Sequence, residues 1–336
     1  MLLVLESLSN EYSHKSPSQL GVLPLNALKE KEVVVTGGAG FIGSNLCRTL
    51  LEKGANVTVF DNLYSGKMEF INDLLDKGLT FVKGDIRNPT EIEQATKNCD
   101  LIFHLAAQTS VPFSMDNPKE DCEMNVVGTL NVLEAAKKAN VRVVFTSSCA
   151  VYGNPKQRPT PETYPTEPIA FYGLTKLICE QYCNFYQETY GLEVVRIRPF
   201  NVYGPNCHGA LYDFLKKLQR NPKKLEVLGT GKQSRDFVYI SDMVDALIKA
   251  ATTPEAAGEA FNIGTGTTTS VADVAKTIVE ILGLEDVDIY FTGGEAWAGD
   301  MDITLADNRK AVKMLNWTPK VSFREGLEKL ITSKKY

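Results

Sequence analysis

The stretch EVVVTGGAGFIG, residues 32–43, decides the fold. Three consecutive valines suit a strand covered on both faces, because an unbroken β-branched run leaves no face for water. The run stops at Gly37, and Gly37, Gly40 and Gly43 then recur at three-residue intervals before the helical pattern FIGSNLCRTLLEKG. Without Cβ atoms the backbone can turn tightly and approach a ligand closely. The first N–H groups of the helix have no partner within it and favour an anion. Glycines are common in turns, so the triplet alone says little. Between a strand and a helix it points to the pyrophosphate of a dinucleotide.

Working outward, apolar runs alternate with helical periodicity. Strand patterns fall at 32–37, 56–61, 79–85, 100–106, 141–148 and 192–199, with helical segments such as NVVGTLNVLEAAKKAN between them. This alternation predicts an α/β fold with a parallel sheet covered on both faces. After Pro199 the rhythm breaks into short strands (LEVLG, FVYIS, AFNIG, DIYFT) mixed with helices, which suggests a smaller α/β lobe. The division expected is an N-terminal extension at 1–30, a cofactor domain at 31–199 and a substrate lobe at 200–336. Segments near 235–264 return to the first domain.

The second strand ends in Asp61, about 20 residues past the glycines. A carboxylate there can accept from both ribose hydroxyls of an adenosine and would repel a 2′-phosphate, which favours NAD over NADP. Asp85 and Ile86, ending the third strand, are placed to border the adenine.

Bulk properties exclude several classes. The chain has 336 residues and a net charge of −5. That balance argues against a nucleic-acid surface. The seven cysteines include no C-x-x-C pair and three histidines are too few for a zinc site of the usual type. Reduced thiols in a cytoplasmic protein, with no metal, are expected. No apolar run is long enough to span a membrane, and MLLVLESLSNEY lacks the basic flank and cleavage site of a signal peptide.

FYGLTKLICEQY, residues 171–182, sets Tyr172 and Lys176 four apart on one helix face. A tyrosine acting as a base must lose its proton, and a nearby ammonium favours the phenolate. The spacing alone is a common coincidence. It gains weight downstream of a glycine loop and a strand ending in FTSS.

From about residue 31 to 330 the chain resembles the extended short-chain dehydrogenase/reductases, specifically the NAD-dependent nucleotide-sugar epimerase/dehydratase group. The resemblance rests on TGGAGFIG, HLAAQ, SS…VYG, Tyr-x-x-x-Lys, RPFNVYGP, RDFVYISD and GDMDITLAD, in the family's order and spacing. It implies a Rossmann-like doubly wound parallel sheet with a C-terminal substrate lobe. It implies Ser148, Tyr172 and Lys176 as the catalytic set. The implied NAD contacts are Gly37, Gly40, Phe41, Ile42, Gly43, Asp61, Asn62, Asp85, Ile86, Leu105, Ala106, Ala107, Tyr172, Lys176 and Pro199, with Phe200 and Val202 shaping the nicotinamide pocket. Ser148, Asn201, Arg235 and Thr304 fall at substrate positions, with Arg235 on a diphosphate and Thr304 gating the sugar pocket. A homodimer through helices near 117–139 and 171–190 is implied as well.

Relatives share oxidation of a nucleotide sugar at C4 and differ in the fate of the keto sugar. Dehydratases carry an Asp-Glu pair where this chain has Cys149 and Ala150, and decarboxylases a glutamate aligned with Ala150. The expected reaction is therefore C4 epimerisation of a nucleotide sugar, a UDP-hexose first. A dehydratase or reductase with a relocated acid and a non-catalytic NAD-binding regulator are the alternatives, the last disfavoured by the intact Ser-Tyr-Lys set. One departure is Trp297, where many relatives have a second diphosphate arginine. Cys149 reads as buried packing, His104 as structural and Asp307 as a helix cap. Asn125 is expected to tie helix to strand near the site. His208 carries no assigned chemistry.

Overall fold

The computed structural model describes residues 28–294 and 299–333. Most of the expected N-terminal extension, and Trp297, lie outside them. The central element is a seven-stranded sheet: β1 (Glu32–Thr36), β2 (Asn56–Asp61), β3 (Thr80–Lys83), β4 (Leu101–His104), β5 (Arg142–Thr146), β6 (Val194–Pro199) and β7 (Ala260–Ile263). The strand order is β3-β2-β1-β4-β5-β6-β7, and every neighbouring pair is parallel. This is the doubly wound α/β sheet that the strand–helix alternation predicts.

The continuous apolar runs make sense once the faces are sorted. Val33, Val35, Val59 and Phe103 enter one core, while Val34, Phe60, Ile102 and Phe145 enter the other. Alternate side chains of one strand thus feed two cores, and neither face can be polar. The first core takes α1 (Phe41–Glu52) through Leu46 and Leu50, and the helix Ile240–Thr252 through Met243 and Leu247. The second takes α2 (Gly128–Ala139) through Val132 and Leu133, and α3 (Phe171–Tyr190) through Cys179 and Cys183.

AFNI, which reads locally like a lobe strand, is β7 at the edge of the central sheet. It pairs with β6 from Ala260–Arg196 to Ile263–Pro199. The remaining strands form three two-stranded units, 201–203 with 237–239, 224–227 with 288–291, and 234–235 with 269–270.

Strand order reverses between β1 and β4, so the loops leaving these two neighbours diverge to opposite sides. A crevice opens at their carboxyl ends. His104 ends β4 and is buried. Its Nδ1 lies 2.8 Å from Thr36 Oγ1 on β1 and its Nε2 3.0 Å from Thr129 Oγ1 on α2. Burial, with the Lys176 charge adding to it, pushes its pKa down to about 3. The ring is therefore a neutral tie between two strands and a helix, a structural role.

Because this pKa lies below the unfolded value, the unfolded chain takes up the proton first as pH falls. The His104 contribution is complete above about pH 6.5 and is lost at about 1.4 kcal/mol per unit below it. The stability gap between wild type and His104→Asn, from denaturant unfolding, should therefore narrow between pH 7 and pH 5. An unchanged gap would show that His104 is not neutral in the folded protein.

Candidate active site at the carboxyl edge of the sheet

The glycine loop is shaped by contacts that exclude side chains. A Cβ on Gly37, whose φ is +70°, would lie 2.6 Å from the Ala106 nitrogen leaving β4. A Cβ on Gly43 would lie 2.2 Å from the Gly37 oxygen. Gly40 is the N-cap of α1, extended, with no side-chain cap and no acidic residue in the first turn. The first N–H groups of α1 are left for an anion.

Asp61 braces this loop from β2. Its Oδ2 accepts from Ala39 N–H at 3.0 Å and its Oδ1 from Leu63 N–H at 2.8 Å. Burial raises its pKa, against the pull of those two bonds. Asn62 donates to Asp85 Oδ2 at 2.9 Å. The fork of Arg87 on Asp85 holds that carboxyl at about 2. Ile86 packs on α2 where a Cβ on Gly128 would come within 2.4 Å of it.

One cavity of about 280 Å³ runs along this edge. It is lined by Gly37, Gly40, Phe41, Ile42, Gly43, Asp61, Asn62, Asp85 and Ile86 toward one end, and by Leu105, Ala106, Ala107 and Pro199 beyond the switch point. Ser148, Tyr172 and Lys176 line it too. The structure thus brings together every sequence-predicted cofactor position and the Ser-Tyr-Lys set. Asn201, Arg235 and Thr304 do not line this cavity. Sequence reading missed Tyr64, Ser65, Arg87, Gln108, Thr109, Met124, Thr146, Ser147 and His208 on its walls. Thr146 and Ser147 had a signal, since they directly precede Ser148 at the strand tip. Tyr64 and His208 sit in loops without periodicity.

The wall also holds a buried polar atom without a protein partner among the described residues. Thr146 Oγ1 is buried on the wall and has no hydrogen-bond partner among the described residues. A buried hydroxyl of this kind is costly unless a ligand satisfies it.

Ser148 follows β5, and its Oγ accepts from Ala150 N–H at 3.1 Å; its hydroxyl also pulls the Tyr172 pKa down. Lys176 Nζ donates to the Thr146 carbonyl at 2.9 Å and lies 5.0 Å from the Phe145 ring centre. Burial pushes the Tyr172 phenol up, with the Ser148 bond pulling back, and it pushes the Lys176 ammonium down. Both groups are biased toward neutrality, as expected of ionisable groups placed to exchange protons.

Two buried networks fix α3. Glu180 lies four residues beyond Lys176 on the same face. It takes both ends of the Arg198 fork, at 2.8 and 2.5 Å, and the Ser147 hydroxyl at 2.5 Å. Arg198 Nη1 continues to Tyr152 OH at 2.7 Å, and Tyr152 OH donates to Asn262 Oδ1 at 2.8 Å. The second network centres on Asp121, which is wholly buried. It accepts from Gln108 Nε2 at 2.7 Å, Asn125 Nδ2 at 3.1 Å and Thr175 Oγ1 at 2.8 Å. A π-helical turn at Glu123–Val127 aims Asn125 at the loop after β4, where its Oδ1 accepts from Gln108 N–H at 2.8 Å.

Asn201, Arg235 and Thr304 gather on the second lobe. Arg235 pairs with a carboxylate, and that carboxylate is Asp300 at 2.5 Å, not its neighbour Asp236. Asp236 instead accepts from Thr265, Gly266 and Ala306 N–H groups and ties three loops. Thr304 Oγ1 bonds Asn201 Oδ1 at 3.1 Å. Asp307 accepts the first N–H of helix Arg309–Leu315 at 3.2 Å from one residue before its N-cap, Asn308. Cys149 packs against Val151, Tyr152, Phe200 and Ala306, and burial pushes its thiol up to about 12.

This sheet, glycine crevice and buried tyrosine–lysine pair define a nucleotide-binding enzyme of the short-chain dehydrogenase/reductase class. Residues 33–264 match the NAD dependent epimerase/dehydratase family, and the chain belongs to it; its cofactor is NAD. The chain is 38% identical over 307 residues to a UDP-glucose 4-epimerase of Mycolicibacterium smegmatis, covering 89% of this chain and 96% of that one. It is similar to the structure of a UDP-N-acetylglucosamine 4-epimerase from Methanobrevibacter ruminantium, in complex with UDP-N-acetylmuramic acid. The TM-score is 0.85 and the identity 33%, covering 90% of this chain and 98% of that one. It is also 31% identical over 340 residues to a UDP-glucuronic acid decarboxylase 1 of Xenopus tropicalis, covering 97% of this chain and 77% of that one.

The tight contact between Gly43 and Gly37 yields a direct test. Gly43→Ala should lower the melting temperature and abolish NAD retention on gel filtration. Retention equal to wild type would show that the loop has slack that the contact distance denies.

Proposed function

We propose that the chain is an NAD-dependent 4-epimerase of a nucleotide sugar, a UDP-hexose first. One observation carries the choice among the family's reactions. The turn after Ser148 begins with Cys149 and Ala150, and no carboxyl group stands there. The buried carboxylates around the site are committed elsewhere: Asp121 to three donors, Glu180 to Arg198 and Ser147, and Asp236 to backbone N–H groups. Elimination of water needs an acid at this tip, and so does decarboxylation in relatives that place a glutamate there. Proton transfer at a hydroxyl followed by its reversal needs only a base and a polar bridge. The names of the relatives support a UDP-sugar as the substrate.

NAD, held along the cavity by the glycine loop and Asp61, would supply reversible hydride acceptance at the sugar C4, with no net oxidation. The chain's own groups handle the proton. Tyr172 accepts the proton of the 4-hydroxyl, with Ser148 bridging the hydroxyl and the phenol. Lys176, anchored to the Thr146 carbonyl, supplies positive charge beside the cofactor ribose. The burial that raises the Tyr172 pKa also keeps water from the 4-keto sugar. Arg235, released from Asp300, and Asn201 hold the diphosphate end.

We further propose a cytoplasmic homodimer. The described cysteines are all free. Among the described residues no helix is long and apolar enough to cross a membrane. On the outer side of α3, Phe171, Leu174, Tyr182 and Phe185 are exposed, Phe185 by 64%, beside exposed Val127. An apolar stripe of this size on a helix pair suits a second copy packed face to face. Nucleic acid and membrane are not proposed as partners.

Tyr172→Phe should lower kcat at least 100-fold while UDP-glucose still binds. NMR of the products after wild-type turnover should show the C4 epimer, with no lasting absorbance of reduced cofactor. A variant active within a few-fold of wild type would remove Tyr172 as the base. A 4-keto-6-deoxy product would overturn epimerisation. For assembly, Phe185→Asp should convert a dimer to a monomer in sedimentation velocity, and a dimer that survives it would place the interface elsewhere.

A further inference from the structure

Asn201 and Thr304 meet where the chain leaving β6 crosses the segment that closes the second lobe. Asn201 follows Phe200, and its backbone N–H donates to the Asp236 carbonyl at 2.9 Å. Thr304 is 3% exposed, and its backbone N–H donates to the Ser234 carbonyl at 3.0 Å. Its hydroxyl accepts from Asp236 N–H at 3.2 Å and lies 3.1 Å from Asn201 Oδ1.

A buried hydroxyl has one proton to place. With Asp236 N–H on a lone pair of Thr304 Oγ1, the acceptor in reach among the described residues is the Asn201 side-chain oxygen. This fixes the amide. A flipped Asn201 would set its NH2 against the hydroxyl and leave the threonine proton without an acceptor. With the oxygen held, the Asn201 NH2 points away from Thr304 and has no partner among the described residues. Asn201 is half-buried, so the group is within reach of a ligand.

The neighbour one step along the same segment is Arg235, whose guanidinium reaches Asp300 and the carbonyls of Ser234 and Asp302. The Asn201 backbone N–H bonds the Asp236 carbonyl, one residue past Arg235, and two donors on segments joined this way suit an anionic oxygen such as that of a diphosphate. We propose that Thr304 is a positioning residue: it locks the Asn201 amide so that its NH2 faces a substrate oxygen. This role differs from gating by side-chain size, because Thr304 is 3% exposed and acts through the Asn201 amide. The assignment rests on the nucleotide-sugar reading above.

The test is calorimetric binding of UDP-glucose to the NAD-loaded enzyme. Thr304→Val keeps the volume and loses the bond, and it should weaken binding about tenfold, the worth of one hydrogen bond to a charged group. Thr304→Ser should restore binding to within about twofold, since the hydroxyl returns. In an Asn201→Ala background, Thr304→Val should add nothing, because the amide it orients is gone. Should Thr304→Val fail to fold, Asn201→Asp keeps the acceptor for the hydroxyl but lacks the donor, and its loss of binding should at least equal that of Asn201→Ala. NAD retention by each variant checks that the cofactor end is intact. Thr304→Val binding like wild type, a full additional loss in the Asn201→Ala background, or Asn201→Asp binding like wild type would each overturn the assignment alone. Wild type that binds no UDP-glucose would overturn the substrate reading and this inference with it.

Discussion

The buried ion pair between Glu180 and Arg198 holds the site in register. Their side chains are 3% and 8% exposed. Burying two charges is costly, and losing either partner typically costs about 3–5 kcal/mol because the other is left unpaired. Here the cost is met by complete satisfaction. Both carboxylate oxygens take the guanidinium fork, and the remaining Arg198 donors reach Tyr152 and the Glu162 carbonyl. The pair joins α3 to β6, and through Ser147 to the tip of β5. Lys176 and Tyr172 are one and two turns back on the same helix face, so their distance from Ser148 is set by a contact that touches no ligand.

Much of this was legible in the sequence, for local reasons. The valines of β1 report burial because each alternate one enters a different core. The glycines report close approach because a Cβ at Gly37 or Gly43 would collide with backbone. Asp61 and the Tyr172–Lys176 spacing are likewise local signals. The features that were not legible join residues far apart. AFNI falls within the segments near 235–264 expected to return to the first domain, but nothing in its four residues names β6 as the partner. Glu180 reads as an ordinary polar helix residue until Arg198 is opposite it. Arg235 stands at a diphosphate position by resemblance, and nothing local in the sequence names the carboxylate that pairs with it. That carboxylate, Asp300, lies 65 residues away.

The electrostatics of the cavity run opposite to a surface salt bridge. Tyr172 and Lys176 are each pushed toward the neutral form by burial, so charge on either must be supported by what surrounds it. Negative charge is abundant nearby, from Asp121 and Glu180, and both carboxylates raise the pKa of Lys176. Asp121 also raises that of Tyr172. These carboxylates favour an ammonium at Lys176, while at Tyr172 the Ser148 hydroxyl pulls the pKa down against Asp121 and burial. The family's other reactions use much of the same frame. Their difference lies in the two side chains after Ser148, a small local change on a shared geometry of strand tip, helix and crevice.

The last strand of the sheet has a consequence for the order in which the chain can fold. β7 arrives more than fifty residues after β6, with much of the second lobe spelled out between them. Until it docks, β6 is an edge, and it offers Val194, Val195 and Ile197 beside a row of unpaired backbone groups. Such edges invite pairing with other chains. A nascent chain released or stalled between the two strands would therefore carry a near-complete sheet with one adhesive side. The two lobes cannot be cut apart at residue 199 and made separately, because the second lobe brings the strip that seals the first.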